Sequence, residues 1–143
     1  MNKQNIREVT VKDIKNAKKN QLIVKSNWLI EARYKLTIQE QRLILLMVSM
    51  IEKDDKDFQP YRIKVREFMK IVGKKGQSDY HAMKQLTRRL LERVIVIKER
   101  DGERQTHWVS VAKYYDRKGY VDLHFDPRLK DLLLDIKKYF TRT

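Results

Sequence analysis

The sequence contains no cysteine. A disulfide framework, a thiolate zinc site and a cysteine nucleophile are therefore all excluded. Glycine is scarce, and none of the four glycines belongs to the glycine-rich loop that cradles phosphates ahead of a helix. The three histidines are isolated from one another, so no two of them have the spacing of a helical metal site. These absences predict a protein that is not an enzyme and that uses neither a metal nor another cofactor.

The amino-terminal residues also lack a targeting segment. They are polar and basic, without the apolar core of a secretory signal peptide. There is no glycine after the first methionine for myristoylation and no cysteine for another lipid. No apolar run approaches the roughly 20 residues that span the hydrocarbon of a bilayer. We therefore expect a cytoplasmic protein.

Positive charge is in large excess. Lysine and arginine number 33 against 19 aspartates and glutamates, which gives a formal net charge of +14 at pH 7. This excess favours a polyanionic partner, because each phosphate that a basic side chain neutralises releases a condensed counterion. A nucleic acid and an acidic membrane surface both meet that description. We favour nucleic acid, since the sequence has neither a lipid anchor nor a basic amphipathic helix with aromatic residues on its apolar side.

The most apolar stretch, residues 36–51, predicts a helix at the centre of the fold. Thr37 and Glu40 have the spacing of a capping box, which marks the start of a helix. Behind them, apolar residues cover every side of the helix instead of one stripe. Such a helix must be enclosed by the rest of the protein. We expect residues 37–52 to be the core helix of one domain over residues 24–143.

The stretch before that helix has a different composition. Residues 1–23 are rich in lysine and contain no aromatic residue, which predicts a basic, flexible amino-terminal arm. Ser26 or Asn27 can then cap a short helix that starts at Trp28. We expect this short helix to fold against the central helix.

Three aspartates follow the central helix in a polar loop, at Asp54, Asp55 and Asp57. Lysines interleave them, and neither the glycine nor the closing glutamate of an EF-hand follows. The pattern indicates a solvated loop and no metal site.

Residues 61–93 predict a strand followed by a helix-turn-helix. Alternation of apolar and basic residues from Tyr61 indicates a half-buried strand. Residues 66–72 are predicted to form a short helix, and we expect Gly73 to end this helix in a left-handed conformation. After a turn, Ser78 caps a second helix with one apolar and one basic side. The apolar side comprises Met83, Leu86, Leu90 and Val94, and the outward side His81, Lys84, Gln85, Arg88 and Glu92, with Arg89 at its edge.

Three antiparallel strands are predicted after the second helix, as the wing of a winged helix. Residues 94–98 are mostly β-branched, and Asp101 and Gly102 form a favoured hairpin dipeptide. The returning strand is expected over residues 106–115 and the third over residues 120–125.

A last helix is predicted to begin with Asp126 as its cap and Pro127 in its first turn. The expected fold class is therefore α+β: a winged helix with a helix-turn-helix, a three-stranded antiparallel wing, a central buried helix and a carboxy-terminal helix.

Several ordered blocks of the sequence carry a resemblance to a known family. They read SNWLIEARYKLTIQEQRLILLMVSMI, YRIKVREFMKIVG, LTRRLLERVIVI, KYYDRKGYVDLHFDPRL and KKYFT. From about Val24 onward, the chain resembles the N-terminal winged-helix domain of iteron-binding plasmid replication initiators. That resemblance implies a non-enzymatic DNA-binding domain that contributes to origin binding and to the initiation of replication.

The same resemblance implies how the domain is used. In this family the first winged helix mediates dimerisation and adds DNA contacts, while a second winged helix is the principal reader of the repeated origin sequences, the iterons. The sequence stops where the family's linking helix leads into that second domain. We therefore expect a first domain of two, with double-stranded DNA, a second copy and host replication proteins as partners and no small-molecule substrate.

Basic residues of the helix-turn-helix and of the wing are the candidates for DNA contact. Lys84, Gln85, Arg88 and Arg89 are predicted to contact DNA from the second helix, because arginine pairs bidentately with guanine or grips phosphate. Phosphate contacts are predicted for Lys74 and Lys75 in the turn and for Arg100 and Arg104 beside the wing tip.

Two other functions are compatible with the same residues. In the first, the domain is a protein-interaction module in which Trp108, Tyr114 and Tyr120 pair across a two-fold axis, and DNA contact is incidental. In the second, it is a winged-helix transcription regulator without a role in replication.

Overall fold

The computed structural model describes residues 6–19, 35–52, 54–73 and 78–134. In chain order the elements are β1 (Arg7–Glu8), α1 (Val11–Lys19), α2 (Ile38–Ser49), β2 (Tyr61–Lys64), α3 (Val65–Val72), α4 (Asp79–Glu92), β3 (Val94–Glu99), β4 (Gly102–His107), β5 (Val109–Tyr114), β6 (Tyr120–Phe125) and a 3-10 turn (Pro127–Leu129). A further helix begins after this turn, at residue 130. The predicted α+β class is confirmed. The short helix predicted to start at Trp28 lies outside the described residues.

The central helix is α2, as predicted. The hydroxyl of Thr37 accepts a hydrogen bond from the backbone N–H of Glu40 at 3.2 Å, and the Glu40 carboxylate accepts one from the N–H of Thr37 at 3.1 Å. This capping box fixes the start of the helix. Residues 43–48 are all buried, so every side of α2 is enclosed. The helix ends at Ser49, a little earlier than expected.

The prediction of a flexible arm is wrong for residues 6–19. β1 pairs in parallel with β2, and α1 packs against both α2 and α3. Arg7 donates two hydrogen bonds to the carboxylate of Asp55 and a third to the carbonyl oxygen of Met50. Ile14 is 1% exposed, while the lysines of α1 whose side chains are described face solvent. A few apolar anchors on one side of a lysine-rich helix are therefore enough to dock it.

The strands form two sheets instead of one wing. The first has the order β1-β2-β6-β5, and β3 and β4 form a separate two-stranded sheet. The strand predicted over residues 106–115 is interrupted at Trp108, whose side chain is 1% exposed in the core. Residues before Trp108 pair with β3 and residues after it pair with β6. The predicted three-stranded wing is therefore wrong, because burial of one tryptophan divides the strand between two hairpins.

The helix-turn-helix consists of α3 and α4, which pack against each other. Gly73 ends α3 with a φ of −74°, so the predicted left-handed conformation is wrong. Glycine is needed there for space, because a Cβ atom would lie 2.4 Å from the carbonyl oxygen of Met69. Ser78 directly precedes α4, but its side chain makes no capping hydrogen bond. Residues 74–77, with the candidates Lys74 and Lys75, lie outside the described residues.

The last helix starts as predicted. The Asp126 carboxylate accepts a hydrogen bond from the backbone N–H of Arg128 at 3.0 Å, and Pro127 stands in the first turn. Asp126 also accepts from the hydroxyl of Thr106 at 3.0 Å and from the guanidinium of Arg128 at 2.8 Å. Burial by itself would raise the pKa of Asp126, but these hydrogen bonds lower the pKa to about 2. The carboxylate thus ties β4 to the start of the last helix.

Candidate nucleic-acid interface

α4 has one side in the core and one side in solvent. Its buried residues are Ala82, Met83, Leu86, Thr87 and Leu90. Lys84, Gln85 and Arg88 are exposed on the opposite side, where the amphipathic pattern predicts them. Val94 does not continue the apolar side: it is 51% exposed, because it is the first residue of β3 and points away from the core.

Lys84 lies over two tyrosine rings. Its Nζ atom is 5.0 Å from the ring centroid of Tyr80 and 5.6 Å from that of Tyr114. The hydroxyl groups of Tyr114 and Thr87 are 2.9 Å apart. Burial raises the pKa of Tyr114 to about 12, although its hydrogen bond with Thr87 acts in the opposite direction. The ring is therefore neutral at physiological pH, and the Lys84 ammonium is held at the margin of α4 that faces β5.

Arg89 is directed toward the protein's own carboxylate at Glu40. Its Nε atom is 3.8 Å from Glu40 Oε2, and among the described residues this nitrogen has no hydrogen-bond partner. Arg93 binds the same carboxylate more closely, with Nε to Oε1 at 2.7 Å and Nη2 to Oε2 at 3.1 Å. The structure therefore places Arg89 between Glu40 and the surface, with its side chain 41% exposed.

The Glu40 carboxylate is fully buried, yet it remains ionised. Burial by itself would raise the pKa of Glu40, but hydrogen bonds from Arg93 and Thr37 hold the pKa below its ordinary value. The carboxylate thus joins the start of α2 to the end of α4. This connection fixes how α4 presents its outward side.

The two candidates on the β3–β4 hairpin do not join the α4 surface. Arg104 donates two hydrogen bonds of 2.7 Å to Glu99 and a third, of 3.0 Å, to the carbonyl oxygen of Arg128. The charge of Arg104 is therefore already paired with Glu99 in the structure, and its phosphate contact stays a prediction. Arg100 is exposed at the hairpin tip, at the far end of β3 from α4.

The three aromatic residues predicted at a dimer interface do not share one surface. Trp108 is 1% exposed and belongs to the core. Tyr114 packs against α4, whereas Tyr120 lies on the outer side of the sheet with its ring 5.2 Å from that of Tyr115. The guanidinium of Arg62 covers the Tyr120 ring at 4.1 Å. The prediction of an interface residue is wrong for Trp108, which the core encloses, while the pairing of Tyr114 and Tyr120 across a two-fold axis stays a prediction.

The turn between β5 and β6 is the part of the surface that sequence reasoning missed. Lys118 and Gly119 in this turn line a cleft together with Ser78, Asp79 and Tyr80 at the start of α4. The signal was present as two adjacent basic residues, Arg117 and Lys118, before a glycine. Only the pairing of β2 with β6 determines that the turn reaches this end of α4.

Within the described ranges, no cluster of histidine, aspartate or glutamate is arranged to hold a metal ion. Asp55, one of the three loop aspartates, is instead bound by Arg7. Among the same residues there is also no helix with the length and apolarity needed to cross a membrane.

Comparisons with known proteins identify the family. The family described as Initiator Replication protein, WH1, matches residues 22–143. No curated protein sequence matches the chain. The chain is similar to the crystal structure of the WH1 domain of MSBI1.176, a replication protein isolated from a multiple sclerosis patient, with 27% sequence identity and a TM-score of 0.56. That match covers 87% of this chain and 100% of the other. The chain therefore belongs to the initiator replication protein WH1 family.

Proposed function

We propose that this WH1 domain binds double-stranded DNA through the outward side of α4 and so contributes to origin binding in plasmid replication. Its family membership supports a role in replication over the alternative of a transcription regulator. The observation that carries the proposal is the exposure of Lys84, Gln85 and Arg88 on a helix whose other side is anchored in the core. The second helix of a helix-turn-helix enters the major groove of DNA in this orientation.

The three side chains have different chemical capacities. Arg88 can pair bidentately with guanine and Gln85 with adenine, and residues three positions apart lie on one side of a helix. Lys84 is held at the margin by Tyr80 and Tyr114, which suits a phosphate contact better than a base contact. Arg89 contributes chiefly through its position beside Glu40.

Replacement of Arg88 by alanine tests this proposal. Arg88→Ala is expected to weaken binding to a duplex that carries repeated origin sequences. The slope of log affinity against log salt should fall in magnitude by about one, because one phosphate neutralisation is lost if Arg88 grips the backbone. If Arg88 reads a base instead, the preference for the origin duplex over a scrambled duplex should fall. Fluorescence anisotropy at several salt concentrations measures both quantities.

A charge-matched variant controls for net charge. Lys56→Ala removes one positive charge from the exposed loop before β2 and is expected to leave the origin affinity close to that of the wild type. Equal affinity, slope and sequence preference for Arg88→Ala and the wild type would contradict the assignment of α4 as the DNA-contacting helix.

A second proposed function, homodimerisation, has its own structural support. Val94 and Val96 are 51% and 37% exposed on the outer face of β3, and Val111 is 45% exposed on β5. Exposed β-branched residues on strands at the margin of a sheet favour pairing with another chain. The recognition of iterons and of host replication proteins also stays a prediction.

A further inference from the structure

A cleft of about 540 Å³ lies where β2 passes into α3, beside the start of α4. Lys64 and Arg66 line it from the β2–α3 junction, and Lys118 lines it from the turn between β5 and β6. Glu67 and Asp79 also contribute to its lining. We call this site the basic cleft, because three cationic side chains from two separate parts of the chain line it together with two carboxylates.

The backbone holds the basic cleft in shape. The N–H of Val65 donates a hydrogen bond to the carbonyl oxygen of Gly119 at 3.0 Å, which joins the start of α3 to the turn. Lys64 and Tyr120 face each other in the β2–β6 register. The glycine has a φ of 75°, a left-handed conformation that lets the chain turn sharply behind Lys118. The strand pairing and this hydrogen bond therefore fix the backbone positions from which the cationic side chains extend.

The cations of the basic cleft are available to a ligand. Lys64, Arg66 and Lys118 are all exposed, and none of them forms a salt bridge within the part of the chain that the structure describes. This distinguishes them from Arg104, which is paired with Glu99. Unpaired, converging cations attract an anion.

The turn beside the basic cleft contains a second unusual feature. Arg117 has a φ of 62°, which is the left-handed conformation that residues with a Cβ atom disfavour. Glycine would adopt this conformation without that cost. An arginine in this costly conformation at an exposed turn points to use of its side chain, since such conformations concentrate at functional sites.

We propose that the basic cleft, together with Arg117, binds the phosphate backbone of the DNA that α4 contacts. This inference rests on the proposed DNA binding by α4. In helix-turn-helix proteins the start of the second helix contacts the base edges, and the basic cleft adjoins that end of α4. Its cations therefore meet the phosphates that flank the contacted base pairs. They add affinity and fix the register of the protein on the duplex, without sequence preference of their own.

The test removes two of these charges together. Lys64→Ala/Lys118→Ala is expected to weaken binding to an origin duplex on the order of tenfold at about 0.1 M salt and to reduce the salt slope by about two. The ratio of affinities for origin and scrambled duplexes should stay unchanged, because phosphates are the same in both. The matched control, Lys56→Ala/Lys98→Ala, removes two exposed lysines away from the cleft and should bind as the wild type does.

Two single variants make the test independent of misfolding. Arg117→Gly should weaken binding while leaving the thermal midpoint unchanged or raised, because glycine relieves the left-handed conformation. Glu67→Gln should strengthen binding by a few-fold, since it removes a carboxylate that repels phosphate from the cleft. A destabilised fold would produce neither pattern.

The outcomes separate this inference from the proposed function. Loss of binding in Arg88→Ala with wild-type affinity in Lys64→Ala/Lys118→Ala and in Arg117→Gly would overturn the phosphate site and leave α4 as the DNA-contacting helix. A wild-type domain that fails to bind any duplex would overturn both. Loss of binding in the cleft variants but not in Arg88→Ala would support the phosphate site and contradict the role of Arg88.

Discussion

Removal of the charge at Glu40 is the most informative perturbation of stability in this fold. The carboxylate is fully buried and accepts hydrogen bonds from Arg93 and from the backbone of Thr37. Glu40→Gln keeps the size of the side chain and an oxygen that can still cap α2. It removes the negative charge that Arg93 and Arg89 face, and it replaces one of the two oxygens that accept hydrogen bonds with an NH2 group, which donates. The variant therefore breaks the connection between α2 and α4, both its charge and at least one of its hydrogen bonds, without changing the size of the side chain.

The expected cost of Glu40→Gln is about 2 kcal/mol in the free energy of unfolding. A hydrogen bond to a charged group contributes roughly 1.5–3 kcal/mol. Breaking a fully buried ion pair costs roughly 3–5 kcal/mol. The Arg93 side chain is 36% exposed, so water will solvate it when the carboxylate charge is lost. The cost should therefore be closer to that of one charged hydrogen bond than to that of a broken buried ion pair.

The pH dependence of this cost has a definite sign. The folded-state pKa of Glu40 is lowered from its ordinary value of 4.5. Stability from the ionised carboxylate is therefore fully present above that unfolded-state value and is lost as the pH falls through the folded-state pKa. The difference in the free energy of unfolding between wild type and Glu40→Gln should therefore become smaller as the pH falls from the unfolded-state pKa of Glu40 through its folded-state pKa. Other titrating groups, including Asp126, are common to both proteins and cancel in the difference.

Urea unfolding followed by circular dichroism, at pH 7 and at steps down to about pH 3, measures this difference. Glu92→Gln is the matched control, because Glu92 is exposed at the end of α4 and its replacement should change stability by less than about 0.5 kcal/mol. A cost at pH 7 no larger than that of the control would refute the reasoning. So would a cost that stays constant as the pH falls.

Two further predictions concern other parts of the chain. Asp126→Asn should lower the free energy of unfolding by about 2 kcal/mol at pH 7, because the fold holds the pKa of Asp126 at about 2 against an ordinary 3.8. The difference between the two proteins should disappear as the pH falls from 3.8 to about 2, which acid unfolding of both measures. If the exposed valines of β3 mediate homodimerisation, Val96→Lys should be a monomer in light scattering, and its circular dichroism should match that of the wild type. A wild-type protein that is itself a monomer would contradict the dimer.

Features that depend on neighbouring residues could be predicted from the sequence. The capping box of Thr37 and Glu40, the enclosed α2, the two-sided α4 and the Asp126 cap all lie where the pattern indicates. In each case the determining groups are within one or two helical turns of one another, so their spacing alone specifies the structure. The outward placement of Lys84, Gln85 and Arg88 follows from the same rule.

Features that depend on distant residues were decided by the tertiary structure. The core requires the Trp108 side chain, and this divides a continuous β-pattern between two sheets. The docking of residues 6–19 depends on α2, α3 and Asp55, none of which their own composition reveals. Charge alone could not separate Arg104, which is paired with Glu99, from Lys118, which is not. The sequence by itself determined α2 and α4 and the buried and exposed sides of α4. The fold decided which cations face solvent together, because long-range pairing brings them to one place.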